Sequence, residues 1–334
     1  MTVRQRLEQL EQQQLSPYAA HSSSSKGRDF PEQPCDIRPD YQRDRDRILH
    51  SKSFRRLKHK TQVFLAPEGD HYRTRLTHTL EVAQIARTIA KSLRLNEELT
   101  EAIALGHDLG HTPFGHSGED VLNQICPEGF AHYEQSVRVV EKLEKNGKGL
   151  NLTWETRDGI RNHRTSGKPS TLEGAVVRLS DKIAYINHDI DDAIRARLFV
   201  EPDLPDCYTD ILGHSVRERL NLMIHDIIQN SMEKSGIFMS PGMEEAMKGL
   251  RAWMFEHVYC SEIPKAEESK AQQLIVFLYE YYCKHVNKLP EEFQIMMRQG
   301  EKKERVACDY IAGMSDRFAI DTFQELFVPK AWNV

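Results

Sequence analysis

The spacing of apolar residues predicts helices along almost the whole chain. Between residues 75 and 95 apolar side chains recur every three or four positions, which is typical of one buried helix face. This face consists of Leu76, Leu80, Ala83, Ile89, Ala90 and Leu93. Further helices are predicted at 215–234, 241–259, 264–287 and 301–320, with Gly and Pro residues between them. Residues 1–14 are expected to form a short helix and 16–28, with their serine run, a mobile arm.

The central part of the chain has clearer helix boundaries. A helix is expected to open at Asn96 or Thr100 and to run into His107, and a Gly- and Pro-rich piece at 110–118 should end it. Residues 170–173, Ser-Thr-Leu-Glu, indicate a capping box that starts a long helix. Only 61–65 has strand-like composition, and helices do not alternate with strands. The predicted fold class is therefore all-α.

Composition and charge narrow the class of protein. The 334 residues are 39% hydrophobic and carry a net charge of -5, so any anion must be bound by a local basic patch. The six cysteines are irregularly spaced without a Cys-x-x-Cys pair, which favours a reducing, cytoplasmic compartment over disulfides or zinc ribbons. The N-terminus lacks the apolar core of a signal peptide, and no run of about 20 apolar residues occurs, so no membrane association is expected.

Titratable residues concentrate in the stretch 104–119, which holds three histidines, an aspartate and a glutamate. Imidazole nitrogens and carboxylate oxygens are the usual protein ligands of Zn, Mn, Fe or Ni ions. His107 and Asp108 are adjacent and would point about 100° apart on a helix, so one ion at the helix edge could take both. Other helices would have to supply the remaining ligands, and His78 and Asp181 are the candidates.

Asp181 lies in a segment that is otherwise typical of a helix core. Turning a carboxylate inward costs several kcal/mol unless a cation compensates for the lost hydration. Tyr185 and Asp189 follow at i+4 and i+8 on the same face, with Lys182 beside them, which is how a pocket next to a metal would be built. The alternatives are that His78 is an ordinary core histidine, that the His-Asp pair is a chance occurrence, and that Asp181 faces solvent.

The order of His78, His107-Asp108 and Asp181 resembles the metal-binding signature of the HD-domain phosphohydrolases. One branch, the deoxyguanosine triphosphate triphosphohydrolase (dGTPase-like) family, is the closest in motif. The blocks that resemble it are 15–19, 47–64, 107–116, 130–136 and 309–317. The resemblance covers most of the chain and thins between 200 and 300. It departs at Tyr133, where the family pattern has Asn after the histidine.

This resemblance implies an HD-domain helical core and hydrolysis of dGTP, or of dNTPs more broadly, to deoxynucleoside and inorganic triphosphate. It implies a divalent ion (Mn, Mg, Ni, Fe or Zn) that activates water or neutralises developing charge on the phosphate. The implied metal ligands are His78, His107, Asp108 and Asp181. The implied catalytic residues are His116 and Glu119, paired by a hydrogen bond from the imidazole to the carboxylate, and His111. The implied substrate contacts are Gln62, Arg75, His132, Lys182, Tyr185 and Asp189.

The resemblance also implies an organisation. Residues 1–39 would be an N-terminal arm, 40–200 the HD-domain catalytic core, and 201–334 a C-terminal helical region packed on the core in a single compact unit. Family members form homo-oligomers, often hexamers, and an oligomer is expected here, with a second dNTP as a candidate activator. The basic segment 43–60 could be a solvated helix face, a subunit interface, an allosteric nucleotide pocket or a groove for single-stranded nucleic acid.

Two other functions remain open from the sequence. An HD-type phosphodiesterase or 5′-nucleotidase would use the same ion, but would not need Gln62, Arg75, Tyr185 and Asp189 together. A nucleotide-sensing or single-stranded nucleic-acid-binding protein with weak hydrolysis would belong to a different class, and the presence of both His116 and Glu119 speaks against it.

Overall fold

The computed structural model describes residues 1–62, 73–259 and 262–330, without the side chains of 258–259 and 262–266. Within these ranges the secondary structure is helical apart from two isolated bridges, Arg28 with Thr153 and Thr61 with Thr74. The all-α prediction is confirmed. No helix of the described ranges has both the length and the apolar character needed to cross a bilayer.

The helices of the first half of the chain are α1 (Val3–Gln14), α2 (Asp40–Leu49), α3 (Lys52–Arg56), α4 (Arg75–Ser92), α5 (Glu97–Gly106), α6 (Gly115–Ile125), α7 (His132–Arg138), the single turn α8 (Glu144–Gly147) and α9 (Trp154–Arg161). Those of the second half are α10 (Leu172–Arg195), α11 (Asp206–Leu212), α12 (Val216–Ser231), α13 (Pro241–Met254), α14 (Glu262–Lys284), α15 (Glu291–Arg298), α16 (Lys303–Ala312) and α17 (Asp316–Phe327).

The larger of two apolar clusters is centred on α5, which packs against α2, α4, α9 and α10. Val82, Ile85 and Ile89 form the buried face of α4. Leu80 was predicted to share this face, but its side chain is 48% exposed. That prediction is wrong because the buried face of α4 runs through Arg75, His78 and Val82, so that Leu80 points away from it.

The smaller cluster joins α6 to the C-terminal helices. Leu122 of α6 packs with buried residues of α14 and α16, among them Ile275, Leu278 and Ile311. The helix predicted at 301–320 is divided at 313–315 into α16 and α17. The C-terminal helices therefore share a core with the helix that carries His116 and Glu119.

Two boundaries near the centre of the chain differ from their prediction. The piece 110–118 was expected only to end a helix, but α6 begins inside it at Gly115, after Phe114 in the left-handed conformation at φ 62°. The long helix α10 is capped by Thr171, whose side chain accepts the amide of Gly174, so the capping box from Ser170 is wrong. Glu173 accepts backbone amides of other segments instead. Asn96, one of the two predicted starts, is the N-cap of α5.

The arm 16–28 is docked on the core rather than mobile, which corrects a further prediction. The Ser25 hydroxyl and the Lys26 amide both donate to Glu155 of α9. Arg28 forms an ion pair with the buried Asp44 and donates to the carbonyl of Asn151. Buried polar groups need such partners, and short-range sequence patterns do not show partners that lie more than a hundred residues away. Of the strand-like run 61–65, residues 63–65 lie outside the described part.

Candidate active site

A cavity of about 230 Å³ opens where α4, α6, α7, α10 and α13 approach the turn after α5. Ten predicted site residues line it: Gln62, Arg75, His78, Asp108, His111, His116, His132, Asp181, Lys182 and Tyr185. Three others do not line it. His107 is fully buried behind the cavity wall, Glu119 lies behind His132, and Asp189 is buried two turns beyond Asp181 on α10.

The four proposed metal ligands lie together at the base of this cavity. His78 comes from the first turn of α4, His107 and Asp108 directly follow α5, and Asp181 projects from α10. His78 Nε2 lies 3.1 Å from Asp181 Oδ1. His107 Nε2 lies 3.3 Å from Asp108 Oδ1 and 3.7 Å from Asp181 Oδ1. These separations match those between neighbouring ligands of one ion, because metal–ligand bonds are about 2.0–2.2 Å long.

The tautomer of His107 shows that these ligand atoms suit a cation. His107 Nδ1 lies 2.6 Å from the carbonyl oxygen of Ala104, so it carries the proton and donates it. His107 Nε2 must then present a lone pair, and this buried atom has no hydrogen-bond partner in the described part of the protein. A buried lone pair that faces two carboxylates is unfavourable on its own. A divalent ion between them satisfies all three groups.

Both carboxylates are held in the charged form. Burial opposes ionisation, but the close approach of His78 Nε2 and of His107 keeps the pKa of Asp181 well below its usual range. Burial likewise opposes ionisation of Asp108, but the close approach of His107 and His111 and the charge of Arg75 keep its pKa well below the usual range. Arg75 Nη1 lies 3.1 Å from Asp108 Oδ2. Two anionic oxygens thus face the two histidine lone pairs.

A second group, His111, Glu119 and His132, also brings three potential ligand atoms together. However, the rings of His111 and His132 are stacked, with centroids 4.0 Å apart and planes inclined by 12°. Imidazole lone pairs lie in the ring plane, so two parallel rings cannot direct them at one ion. We therefore interpret this group as a hydrogen-bonded network rather than a second metal site.

Glu119 pairs with His132 in this network, whereas the sequence had suggested a pair with His116. His132 Nδ1 lies 2.9 Å from both oxygens of Glu119, and the His132 amide donates to the same carboxylate. Burial opposes ionisation of Glu119, but these bonds from His132 lower its pKa. His132 Nε2 faces His163 Nε2 at 3.2 Å, and His163 donates through Nδ1 to the carbonyl of Ile160. His132 therefore has potential acceptors on both sides of its ring.

His116 projects into the cavity from the first turn of α6 and remains accessible to solvent. Its ring lies 6.3 Å from that of Tyr185 in an edge-on arrangement. The surrounding protein and the positive charge of Arg75 lower the pKa of His116 to about 4, so the ring is neutral near pH 7. An anion that enters the cavity would raise this pKa and favour the protonated ring.

Several residues of the site were missed from the sequence. His163 and Arg164 line the cavity from the segment after α9, and Met247, Lys248 and Arg251 of α13 close its opposite side. Arg164 donates to the Tyr133 hydroxyl and lies 4.2 Å from that ring, so the residue that departs from the family pattern is engaged beside the site. These positions follow no ligand-type spacing, and only the tertiary contacts identify them.

The C-terminal helices contact the turn that carries the catalytic candidates. Asp316 accepts the amide of Phe114 at 3.0 Å through one oxygen and the amide of Thr61 at 3.0 Å through the other. Lys60 is buried and donates to the carbonyls of His111 and Ala312. Burial lowers the pKa of Lys60 to about 7. The backbone that precedes His116 and Gln62 is thus held by distant residues.

Much of the basic segment 43–60 is paired within the protein. Arg45 binds Glu98, and Arg47 binds Glu32 and the carbonyls of 150–151. A solvated helix face is therefore the wrong interpretation for these two arginines and for the buried Lys60.

Comparison with known proteins agrees with this geometry. The HD domain family matches residues 75–186, the range from Arg75 to the helix that carries Asp181. The phosphohydrolase-associated domain family matches residues 237–325. An all-α core with a buried His/Asp cluster in this range defines an HD-domain phosphohydrolase.

Full-length relatives identify the family within this class. A deoxyguanosinetriphosphate triphosphohydrolase-like protein of Caldanaerobacter subterraneus subsp. tengcongensis is 60% identical and covers 99% of this chain and 98% of its own. A protein of the same description from Clostridium tetani is 50% identical and covers 99% of this chain and 97% of its own. The chain belongs to the deoxyguanosinetriphosphate triphosphohydrolase-like family.

Solved structures support the fold. A phosphohydrolase from Bacteroides thetaiotaomicron aligns with a TM-score of 0.53 at 17% identity, over 84% of this chain and 67% of its own. A hypothetical protein from Aquifex aeolicus aligns with a TM-score of 0.50 at 21% identity, over 86% of this chain and 68% of its own.

Proposed function

We propose that this phosphohydrolase is a metal-dependent dNTP triphosphohydrolase, which converts a deoxynucleoside triphosphate to the deoxynucleoside and inorganic triphosphate. One observation carries the proposal: His107 presents a buried, unpartnered Nε2 lone pair to two ionised carboxylates at the base of a cavity whose walls carry cationic side chains. The names of the relatives suggest the substrate class.

The residues that would hold the ion are His78, His107, Asp108 and Asp181. A divalent ion bound there would polarise a phosphoryl oxygen and lower the pKa of a water molecule, which supplies the nucleophile at neutral pH. The two carboxylates are ionised and the His107 lone pair is already oriented by the Ala104 carbonyl, so little rearrangement would accompany binding. The donor set of imidazoles and carboxylates does not single out Mn, Mg, Ni, Fe or Zn.

The triphosphate would be bound by cationic side chains that line the cavity, whose N–H groups would donate hydrogen bonds to it. Arg75 uses Nη1 on Asp108, but its buried Nε and Nη2 have no hydrogen-bond partner in the described ranges. Those two groups form the fork that binds a phosphate in a bidentate manner. Lys182, Arg164 and His132 line the same cavity. The site therefore offers several positive groups to an anion with several charges.

His116 is the residue we assign to proton transfer. Water attacks the α-phosphorus, its oxygen forms the new bond to phosphorus, and the bond from phosphorus to the 5′-oxygen breaks. The departing oxygen takes a proton from the His116 ring, and the attacking water releases a proton to solvent, from which the ring is protonated again. His116 is neutral in the cavity alone, and the arriving triphosphate favours its protonated form. Glu119 acts through His132, to which it is bonded.

The sugar would bind between Gln62 and Tyr185. Gln62 is buried at the cavity wall, and its Oε1 has no hydrogen-bond partner in the described part of the chain, so it can accept a bond from a 3′-hydroxyl. Tyr185 stands beside His116, where its ring would lie under the sugar and leave no room for a 2′-hydroxyl. Asp189, one turn beyond Tyr185 on α10, is buried and does not line the cavity, so we assign it an indirect role at the 3′ side of the pocket, through the residues that line it.

The proposal is tested by incubating the purified protein with each dNTP and with all four mixed, in the presence of Mn or Mg, and separating the products by ion exchange. We expect deoxynucleoside and intact triphosphate. Asp108→Ala should abolish turnover and retain helix content, whereas Asp210→Ala, at an exposed ion pair with His214, should behave as wild type. Release of pyrophosphate or monophosphate alone would refute the proposal and favour a phosphodiesterase or nucleotidase.

We also propose the organisation and partners that the resemblance implies. The docking of the arm on α9 and the shared core of α6, α14 and α16 support a single unit of arm (1–39), catalytic core (40–200) and C-terminal region (201–334). Light scattering tests the expected homo-oligomer. A rate with mixed dNTPs above the sum of the single rates would support a dNTP activator. Filter binding with His116→Ala tests for a separate single-stranded nucleic-acid role.

A further inference from the structure

A chain of three side chains lies behind the metal-ligand candidate His78. His78 Nδ1, the ring nitrogen that faces away from Asp181, lies 2.9 Å from Nδ1 of His188 on α10. His188 Nε2 lies 2.6 Å from Oε2 of Glu81, two turns from the start of α4. Arg73 Nε in turn donates to Glu81 at 2.9 Å. Nothing in the sequence had pointed to His188 or Glu81.

The direction of the hydrogen bonds between these side chains follows from the Glu81 carboxylate, which lies farthest from the cavity along the series His78, His188, Glu81. The Glu81 carboxylate can only accept, so His188 Nε2 must carry a proton and donate it. The side chain of His188 is 7% exposed, and burial disfavours a second proton on this ring. His188 Nδ1 therefore offers a lone pair, and the bond to His78 forms only if His78 Nδ1 is the donor.

This direction fixes the other nitrogen of His78. A neutral imidazole that carries its proton on Nδ1 presents a lone pair at Nε2, which here faces Asp181 Oδ1 at 3.1 Å. A lone pair and a carboxylate oxygen at that distance repel each other unless a cation lies between them. The opposite direction would place a proton on His78 Nε2, in the position that an ion needs.

We propose that His188 and Glu81 are positioning residues that hold His78 in the tautomer required of a metal ligand. The inference rests on the metal site of the proposed function and adds two residues to it. His107 has its tautomer fixed by a backbone carbonyl, which no substitution removes. The tautomer of His78 depends on side chains alone, so substitutions outside the cavity can weaken metal binding by His78.

The test measures metal affinity directly, by competition between the purified full-length protein and a chelator for Mn²⁺ or Zn²⁺. We expect His188→Ala and Glu81→Leu to bind the ion 10- to 100-fold more weakly, which is the usual effect of removing the partner of a ligating histidine. Glu81→Gln keeps a carbonyl acceptor and should stay within a few-fold of wild type. Asp191→Asn is the matched control. It removes a different carboxylate partner of Arg73 and leaves the hydrogen bonds from His78 through His188 to Glu81 intact.

Two further readouts separate positioning from a general structural role. Long-range ¹H–¹⁵N spectra should show the Nδ1–H tautomer of His78 in the wild type and a mixed tautomer in Glu81→Leu. At saturating metal the variants should recover kcat with an unchanged KM for the nucleotide, since the loss lies in the ion's affinity. A structural role would lower kcat at every metal concentration.

Each outcome decides the inference. Equal affinity of wild type, His188→Ala and Glu81→Leu, or a weakening by Asp191→Asn as large as by Glu81→Leu, would overturn it while the proposed function stands. A wild type that binds no divalent ion would instead overturn the metal site itself. Should His188→Ala fail to fold, Glu81→Leu decides alone, because the Glu81 side chain is 41% exposed and its removal opens no core.

Discussion

Glu173, in the first turn of α10, is a fully buried carboxylate that forms no ion pair with any residue of the described ranges. Its Oε1 accepts the amide of Ala20 at 2.9 Å and that of Asn96 at 3.0 Å. Its Oε2 has no hydrogen-bond partner in the described ranges. Burial raises the pKa of Glu173 to about 7, although the backbone donors partly oppose the shift. We predict that Glu173→Gln stabilises the protein at alkaline pH.

The magnitude follows from the shift. The pKa rises from 4.5 to about 7 on folding, which corresponds to about 3 kcal/mol at roughly 1.4 kcal/mol per unit. Between pH 4.5 and about 7 the folded protein binds more protons than the unfolded chain. The stability that Glu173 contributes is therefore complete below pH 4.5 and is lost as pH rises through 7. A glutamine reproduces the protonated acid at every pH, because its carbonyl can accept both amides.

The assay is urea unfolding of both proteins at pH 5 and pH 8, followed by circular dichroism. We expect similar midpoints at pH 5 and a variant more stable by about 1–3 kcal/mol at pH 8. Glu155→Gln is the matched control. Glu155 accepts the Lys26 amide on one oxygen and the Ser25 hydroxyl on the other, so an amide should remove an acceptor and lower stability. A difference between Glu173→Gln and wild type that does not change with pH would refute the reasoning.

Three other predictions concern the site. Gly110→Ala should destabilise the fold by about 2 kcal/mol or more in urea unfolding, because the added Cβ would lie 2.1 Å from the Ser136 amide nitrogen. Gly242→Ala is the control and should leave stability unchanged, because its added Cβ would meet no atom within 4 Å. Asp316→Asn should lower kcat about tenfold in steady-state assays by loosening the Phe114 backbone before the catalytic helix. Removal of divalent ions with a chelator should lower the melting temperature and retain helix content in circular dichroism.

Each of these has a contradicting result. A Gly110→Ala protein as stable as Gly242→Ala would show that the turn and α7 can separate at little cost. An Asp316→Asn protein with wild-type kcat would show that the Phe114 backbone is fixed by other contacts. A melting temperature that is independent of chelator and of added ion would contradict a bound cation.

The sequence was sufficient for the elements and residues that depend on local pattern or fixed order. Helical periodicity predicted α4 and α10, and the order His78, His107-Asp108, Asp181 selected four residues that the fold brings to one point. The phase of a helix was less certain: Leu80 satisfies the periodicity of α4 but faces solvent, because polar His78 rather than Leu80 belongs to the buried face. Burial of a polar ligand is a tertiary requirement that hydrophobic spacing does not contain.

Partner choice among polar groups was the part that the sequence could not supply. His116 and Glu119 are three residues apart on one helix, yet Glu119 bonds His132 of another element. Glu173 was assigned to a local cap but accepts amides 153 and 77 residues away. Such bonds satisfy buried groups wherever the fold brings a donor, so spacing along the chain does not predict them.

The contacts of Asp316 with Thr61 and Phe114, and of Lys60 with Ala312, have a consequence for synthesis. These contacts join Lys60 and Thr61, which precede Gln62, and Phe114, which precedes His116, to residues translated some two hundred positions or more later. An N-terminal fragment can collapse its helices as it leaves the ribosome, but its active site stays unfinished until α17 has been made. A C-terminal truncation before Asp316 is therefore expected to be inactive, because it removes the acceptor of the Thr61 and Phe114 amides.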